Sequence, residues 1–138
     1  MAIKKYKDDF LLLAEAGFIA VNQADEDAAL KLFKAAELLN PENVLPKLGF
    51  GYLHLHKLEL KQAVKCFEDV LHKDPHNDMA KALKGLSLSM MPEQVDKGEK
   101  ILEQAAHSKD PLIKQMANSA IHFVETFIKK KPGPAGRR

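Results

Sequence analysis

Residues 10–43 read FLLLAEAGFIAVNQADEDAALKLFKAAELLNPEN, and residues 44–77 read VLPKLGFGYLHLHKLELKQAVKCFEDVLHKDPHN. Set one above the other, they align Gly17 with Gly51, Ala29 with Ala63, Phe33 with Phe67, Ala36 with Val70, and Asn40-Pro41 with Asp74-Pro75. Every one of these pairs is 34 residues apart. A fixed period of that length marks a chain built from stacked supersecondary units. A third copy opens with Gly85, again 34 residues on, and then runs late. Gly98, Leu102 and Ala105 take the small, large and small places one residue behind, and Asp110-Pro111 closes the unit two behind. The lag predicts an insertion near Met91-Pro92.

Prolines at 41, 46, 75, 92, 111, 132 and 134 leave long uninterrupted windows between them. A proline is tolerated in the first turn of a helix but not inside one, so these windows read as helices. The expected helices are 8–22, 26–39, 43–57, 60–73, 77–90, 93–107 and 111–130. No run of alternating β-branched and aromatic residues competes for a strand. A mid-helix glycine costs about 1 kcal/mol, so one that recurs in register implies close helix contact. Gly17, Gly51 and Gly85 therefore allow approach, while Phe33, Phe67 and Leu102 fill the space between neighbouring helices. The last helix carries Ile113, Met116, Ala117, Ala120, Ile121, Val124 and Phe127 at helical spacing, an apolar stripe that needs a surface to pack on.

The pattern resembles the tetratricopeptide repeat, two antiparallel helices in 34 residues, with Gly at position 8, Ala at 20, an aromatic at 24, a small residue at 27 and Pro at 32. The fold expected is an all-α solenoid of three helix pairs, about 10–43, 44–77 and 78–111, closed by a capping helix at 111–130. These form one domain over 1–130, followed by a flexible basic tail at 131–138. The structural repeat positions are Gly17, Gly51, Gly85, Ala29, Ala63, Phe33, Phe67, Pro41, Pro75 and Pro111.

The resemblance also implies which residues face the concave side, where the first helix of each pair lines a groove. They are Leu11, Ala14, Phe18 and Val21 in the first repeat, Leu45, Leu48, Tyr52 and Leu55 in the second, and Met79, Ala82, Leu86 and Met90 in the third, with the polar Asn22, His56 and Ser89 completing the three sets. An apolar wall of this extent marks a binding site, and an amphipathic helix is its natural guest. Methionines in the third repeat add adaptability of shape. A clamp for a partner's terminal carboxylate needs cations and amides, but its places here hold Ala14, Phe18, Leu48 and Tyr52, which argues against it.

The 138 residues are 46% hydrophobic, 29% charged and 7% aromatic, the composition of a chain that folds. The net charge of +2 is concentrated at one end, where Lys129, Lys130, Lys131, Arg137 and Arg138 fall within the last ten residues. Residues 1–128 hold sixteen basic and nineteen acidic residues, a net charge of −3. Such a body lacks the broad positive surface that nucleic acid requires. The apolar stretch Phe10 to Val21 follows Asp8 and Asp9 and is interrupted by Glu15. It is too short to span a bilayer, so neither a signal peptide nor a membrane insertion is expected.

Nothing in the residue pattern builds a catalytic centre. His54 and His56 are two apart on a helix and point to different faces; His72 and His76 bracket a helix break. Cys66, the sole cysteine, sits beside Phe67 with no histidine spaced to activate it. Asp25, Glu26 and Asp27 are acids at a helix start, where unpaired N–H groups favour negative charge. No glycine-rich phosphate loop is present. The expectation is a non-enzyme with no cofactor and no metal.

Two stretches narrow the resemblance: Leu12-Leu13-Ala14-Glu15 in the opening helix, and Leu102 through Ala105, Ala106, Ser108, Lys109, Asp110, Pro111 and Ile113. These are similar to the tetratricopeptide chaperones of type III secretion systems, above all the large needle-subunit chaperone. That resemblance implies a chaperone of the bacterial cytoplasm, stabilised by a small helical co-chaperone. Its groove would hold the C-terminal helix of the needle subunit and prevent premature polymerisation. A chaperone of secreted translocator proteins and a generic tetratricopeptide scaffold are the alternative readings.

Overall fold

In a computed structural model of the chain, residues 2–129 are described, with side chains from residue 8 onward. The tail expected at 131–138 lies outside the described residues, as does the last residue of the expected capping helix. Seven α-helices follow in order: α1 (Ala2–Asn22), α2 (Glu26–Leu39), α3 (Leu45–His56), α4 (Leu60–Lys73), α5 (Asp78–Ser89), α6 (Val95–Ala105) and α7 (Pro111–Phe123). A single π-helical turn, Val124–Ile128, continues α7. Among the described residues there is no strand. The fold is all-α and repeat-like, made of paired packing helices.

The chain divides into two compact units, Met1–Ala80 and Lys81–Arg138. In the first unit, α1 packs on α2 and α3 on α4, while α3 also touches α1 and α2. The buried residues of α2 are Ala29, Phe33 and Ala36; those of α4 are Ala63, Phe67 and Val70. The glycines opposite them explain the spacing. A Cβ at Gly17 would lie 2.5 Å from the Phe33 ring, and one at Gly51 would lie 2.5 Å from the Phe67 ring. A Cβ at Gly49 would strike Phe33 as well. Phe33 is thus wedged between α1 and α3, and it is fully buried with Phe18 edge-on at 5.2 Å and Phe50 at 5.6 Å.

The turns within the first two pairs are copies of each other. Ala24 and Leu58 adopt left-handed backbone conformations, φ 60° and 61°. The N–H of Asp25 donates to Ala20 O and that of Ala24 to Val21 O, both at 2.9 Å. Glu59 to His54 and Leu58 to Leu55 repeat those bonds, also at 2.9 Å. This double closure satisfies the last carbonyls of α1 and α3. Between pairs, Asn43 Oδ1 accepts from Leu45 N–H two residues on and Asn77 Oδ1 from Ala80 N–H three residues on, each at 2.9 Å.

In the second unit, α6 packs on α7. Leu102, Ala120 and Val124 form its core, with Leu86, Val95 and Ile121 against them. The crossing of α5 and α6 is closer than a side chain permits: a Cβ on Gly98 would lie 2.6 Å from the Gly85 carbonyl oxygen and would strike Ser89. Ser87 and Ser89 are buried here and donate to the carbonyls of Leu83 and Gly85 at 2.8 and 2.7 Å, so neither hydroxyl is left unpaired.

Three features differ from the sequence-based expectation. Helix α1 begins at Ala2 rather than 8, because nothing in residues 2–9 breaks a helix and their charges are compatible with one. The link from α5 to α6 spans five residues, 90–94, where the other two pairs use three. Pro92 occupies the place of Ala24 and Leu58, and its ring forbids positive φ, so the three-residue turn cannot form there. Finally, Phe127 does not join the buried stripe of Ile113, Ala117, Ala120 and Val124; it is 71% exposed. The wider π turn adds residues per revolution and rotates Phe127 off that face.

Candidate binding face

The residues expected to line a groove fall into three classes of exposure. Ala14, Val21, Leu48 and Leu55 of the first unit and Ala82 of the second are buried. Phe18, Leu45, Tyr52 and Met79 of the first unit are half-buried, as are Leu86 and Met90 of the second. Leu11 is exposed at 44%. The buried members pack inside their own unit: Ala14 lies with Phe10 and Ala36, and Val21 with Ala20, Ala29, Phe33 and Leu53. They support the face from beneath, and the atoms available to a guest belong to the other members.

On the first unit those atoms form a line across α1 and α3. Phe18 and Tyr52 meet with ring centroids 5.5 Å apart, and Tyr52 and His56 meet edge-on at 4.6 Å. Residues 18, 52 and 56 reach this line because α1 and α3 run side by side while Phe33 holds them apart at a fixed distance. The Tyr52 hydroxyl donates to Asn22 Oδ1 at 2.6 Å, tying the end of α1 to the middle of α3. Burial pushes the Tyr52 phenol above its ordinary value, against the opposing effect of the Asn22 bond, so it stays neutral at physiological pH. The line therefore offers apolar ring area with two polar ends, Asn22 and His56, both exposed. Edge-on aromatic contacts of this kind add about 0.5–1.5 kcal/mol each beyond burial, which gives the face a fixed shape.

Ion pairs brace the same unit at its edge. Lys57 Nζ bonds Glu26 Oε2 at 2.8 Å and approaches Glu59 Oε2 at 3.5 Å; His54 Nδ1 lies 2.7 Å from Glu59 Oε1. The His54 bond, then Lys57, holds the Glu59 carboxyl below its ordinary range, and Glu26 holds Lys57 above its own. All four side chains are a third or more exposed, so each pair contributes little to stability.

The chemistry-bearing side chains elsewhere do not assemble. Among the described residues no three of His, Cys, Asp and Glu are grouped to hold a metal ion. Cys66 is half-buried, and burial pushes its thiol up, away from the reactive thiolate. A small crevice of about 90 Å³ is lined by Glu37, Pro41, Asn43, Val44, Lys47, Asp69, Val70 and Lys73, with Lys65 on Asp69 at 2.9 Å beside it. Among the described residues no helix is long and apolar enough to cross a membrane.

Sequence reasoning missed three contributors. Phe50 and Gly49 seat Phe33 but have no counterpart in the first repeat, where Ala16 and Glu15 stand in their places. The Asn22 to Tyr52 bond joins residues 30 apart, which no periodic pattern shows. The Asn43 and Asn77 caps were missed as well, although their 34-residue separation was a signal that could have found them.

No family model matches the chain, and no solved structure matches it. A stretch of 56 residues, 40% of the chain, is 34% identical to the RNA polymerase-associated protein CTR9 of Caenorhabditis elegans. The chain spans about 5% of the length of that relative.

Proposed function

We propose that the chain is a tetratricopeptide-type protein-binding module whose α1/α3 face takes the apolar side of an amphipathic helix. The observation that carries this reading is the half-exposed line Phe18, Tyr52 and His56, with Leu11 exposed on the same helix as Phe18. Covering such a line removes apolar area from water at roughly 25 cal/mol per Å², while Asn22 and His56 offer hydrogen bonds that fix the guest's position. The recurrent Gly and Phe contacts support the tetratricopeptide assignment.

The specific form we favour is the type III secretion chaperone of the bacterial cytoplasm, holding the C-terminal helix of the needle subunit with the help of a small helical co-chaperone. The segment from Leu102 to Ile113 supports it. In that role the module acts by sequestration: a helix seated on the α1/α3 face is unavailable for polymerisation. No catalysis and no cofactor enter. The 34% identity to part of CTR9 favours a second reading, a helical-repeat scaffold that docks onto a larger assembly.

Co-expression with a needle subunit tests the first reading. The two proteins should co-purify, and Leu11→Glu or Tyr52→Glu should weaken the complex at least tenfold while helical content is unchanged. Leu55→Glu is a poor probe, because Leu55 is 6% exposed and a charge there would disturb folding. A complex that survives both substitutions excludes the α1/α3 face as the seat of the guest.

A further inference from the structure

The outer flank of α7 carries a second apolar stripe, separate from the one buried against α6. Leu112 is 64% exposed, Phe123 40% and Phe127 71%, with Met116 half-buried between them. Phe123 and Phe127 stack at 5.3 Å, which makes the C-terminal end of the stripe a single aromatic surface. The π turn that removes Phe127 from the core is what delivers it to this flank.

The spacing of the stripe is palindromic. Positions 112 and 127, and positions 116 and 123, are symmetric about the peptide bond between Ser119 and Ala120. Two copies of α7 laid antiparallel about that point place Leu112 against the partner's Phe127, Met116 against the partner's Phe123, and the exposed Ser119 beside the crossing. A two-fold contact requires a self-complementary patch of this kind, and a small residue near its centre allows two helices to approach closely. The residues flanking the stripe, Gln115, Asn118, Ser119 and His122, include no Lys, Arg, Asp or Glu. The charges Lys114 and Glu125 fall on the opposite side of the helix at about 100° per residue, so no like charges meet across the axis.

From this we propose that the outer flank of α7 is a homodimer interface, occupied by α7 of a second copy of this chain in antiparallel register. The contact is one helix wide, well below the area of a permanent interface, so the dimer is reversible and its population rises with concentration. It uses residues of the second unit only.

Sedimentation velocity over a concentration series tests it. The wild-type chain should pass from monomer to dimer, and Leu112→Glu and Phe127→Glu should each hold it monomeric with an unchanged circular dichroism spectrum. In a Cys66→Ser background, Ser119→Cys should form a covalent dimer on mild oxidation, whereas Lys114→Cys on the far side of α7 should not. A wild-type chain that remains monomeric throughout overturns the proposal. So does a dimer that persists in both Glu variants, or equal cross-linking at 114 and 119; these would mean that another face, or another occupant, is involved.

Discussion

The first two helix pairs and the third share a period but not a turn. In the first two, a three-residue link bends through a left-handed Ala24 or Leu58 and closes with the same two backbone bonds. In the third, Pro92 stands where the left-handed residue belongs, and five residues are needed to join α5 to α6. The longer link accounts for the one-residue lag of Gly98 and Leu102, whereas the second residue of Asp110's lag enters after Ala105, between α6 and α7. The packing adjusts accordingly: where Gly17 and Gly51 face an aromatic ring, Gly85 faces Leu102 and the backbone of Gly98. A repeat in sequence preserves geometry only as far as its turns can be made.

The largest effect should come from the ring that links the first two pairs. Phe33→Ala removes a fully buried side chain held between α1 and α3, at a cost of about 3–5 kcal/mol in urea unfolding. Leu102→Ala, its counterpart in the third pair, removes a smaller side chain and should cost about 2–4 kcal/mol. If the order were reversed, Phe33 would not be the keystone of the first unit.

Next come the glycines. Gly51→Ala forces a methyl group to within 2.5 Å of a rigid ring and should destabilise by about 1–3 kcal/mol. Gly85→Ala meets Leu102 Cγ at 3.0 Å and the Gly98 carbonyl oxygen and Ile101 Cγ2 at 3.1 Å, and should cost less, since each of these must give by only a few tenths of an ångström. Equal losses would remove the distinction between aromatic and aliphatic packing.

The turns give a change of opposite sign. Leu58→Gly relieves a left-handed leucine, whose conformation costs about 1–2 kcal/mol, and it removes a side chain that is 69% exposed. After the greater entropy of glycine in the unfolded chain, a gain of roughly 0.5–1 kcal/mol in denaturant unfolding is expected. Pro92→Gly should bring no gain, because the five-residue link does not use that conformation.

The smallest effect is in pH. Glu59 and Asp69 of the first unit sit below their ordinary values, held by His54 and Lys65 respectively. Their contribution is present above the unfolded values of 4.5 and 3.8 and is lost as pH falls through the lower folded values. Lys129 of the second unit is raised by its 2.8 Å bond to Glu99, so its contribution is present below 10.5 and lost as pH rises beyond the folded value. Lys57 and Lys65 add the same alkaline dependence to the first unit. Thermal melts should therefore show a slight acid weakening in signals from the first unit.

These contrasts also show what was legible in the sequence. The bounds of α2 and α4 coincide with the windows read between breakers, because Asp25, Asn40-Pro41 and Asp74-Pro75 punctuate them locally. The start of α1 was not legible, since helix-compatible charges at Lys4, Lys5 and Lys7 give no stop signal. The apolar positions of α1 and α3 could be found from periodicity, but periodicity does not rank exposure. Val21 and Phe18 lie on one helix three residues apart, yet Val21 belongs to the buried cluster with Ala29, Phe33 and Leu53 while Phe18 packs against the outside of that cluster and stays half open. Phe127 was misplaced for a related reason: a π turn changes the residues per revolution and leaves no mark in composition.

The most direct measurement of the central claim is a titration of isotope-labelled chain with a soluble amphipathic helix from a needle subunit's C-terminus, followed by amide chemical shifts. The expected result is saturable shifts clustered on Leu11, Phe18, Asn22, Tyr52 and His56, absent in Tyr52→Glu. Shifts that cluster instead on the crevice at Lys47 and Asp69, or no saturable shifts at all, would contradict it.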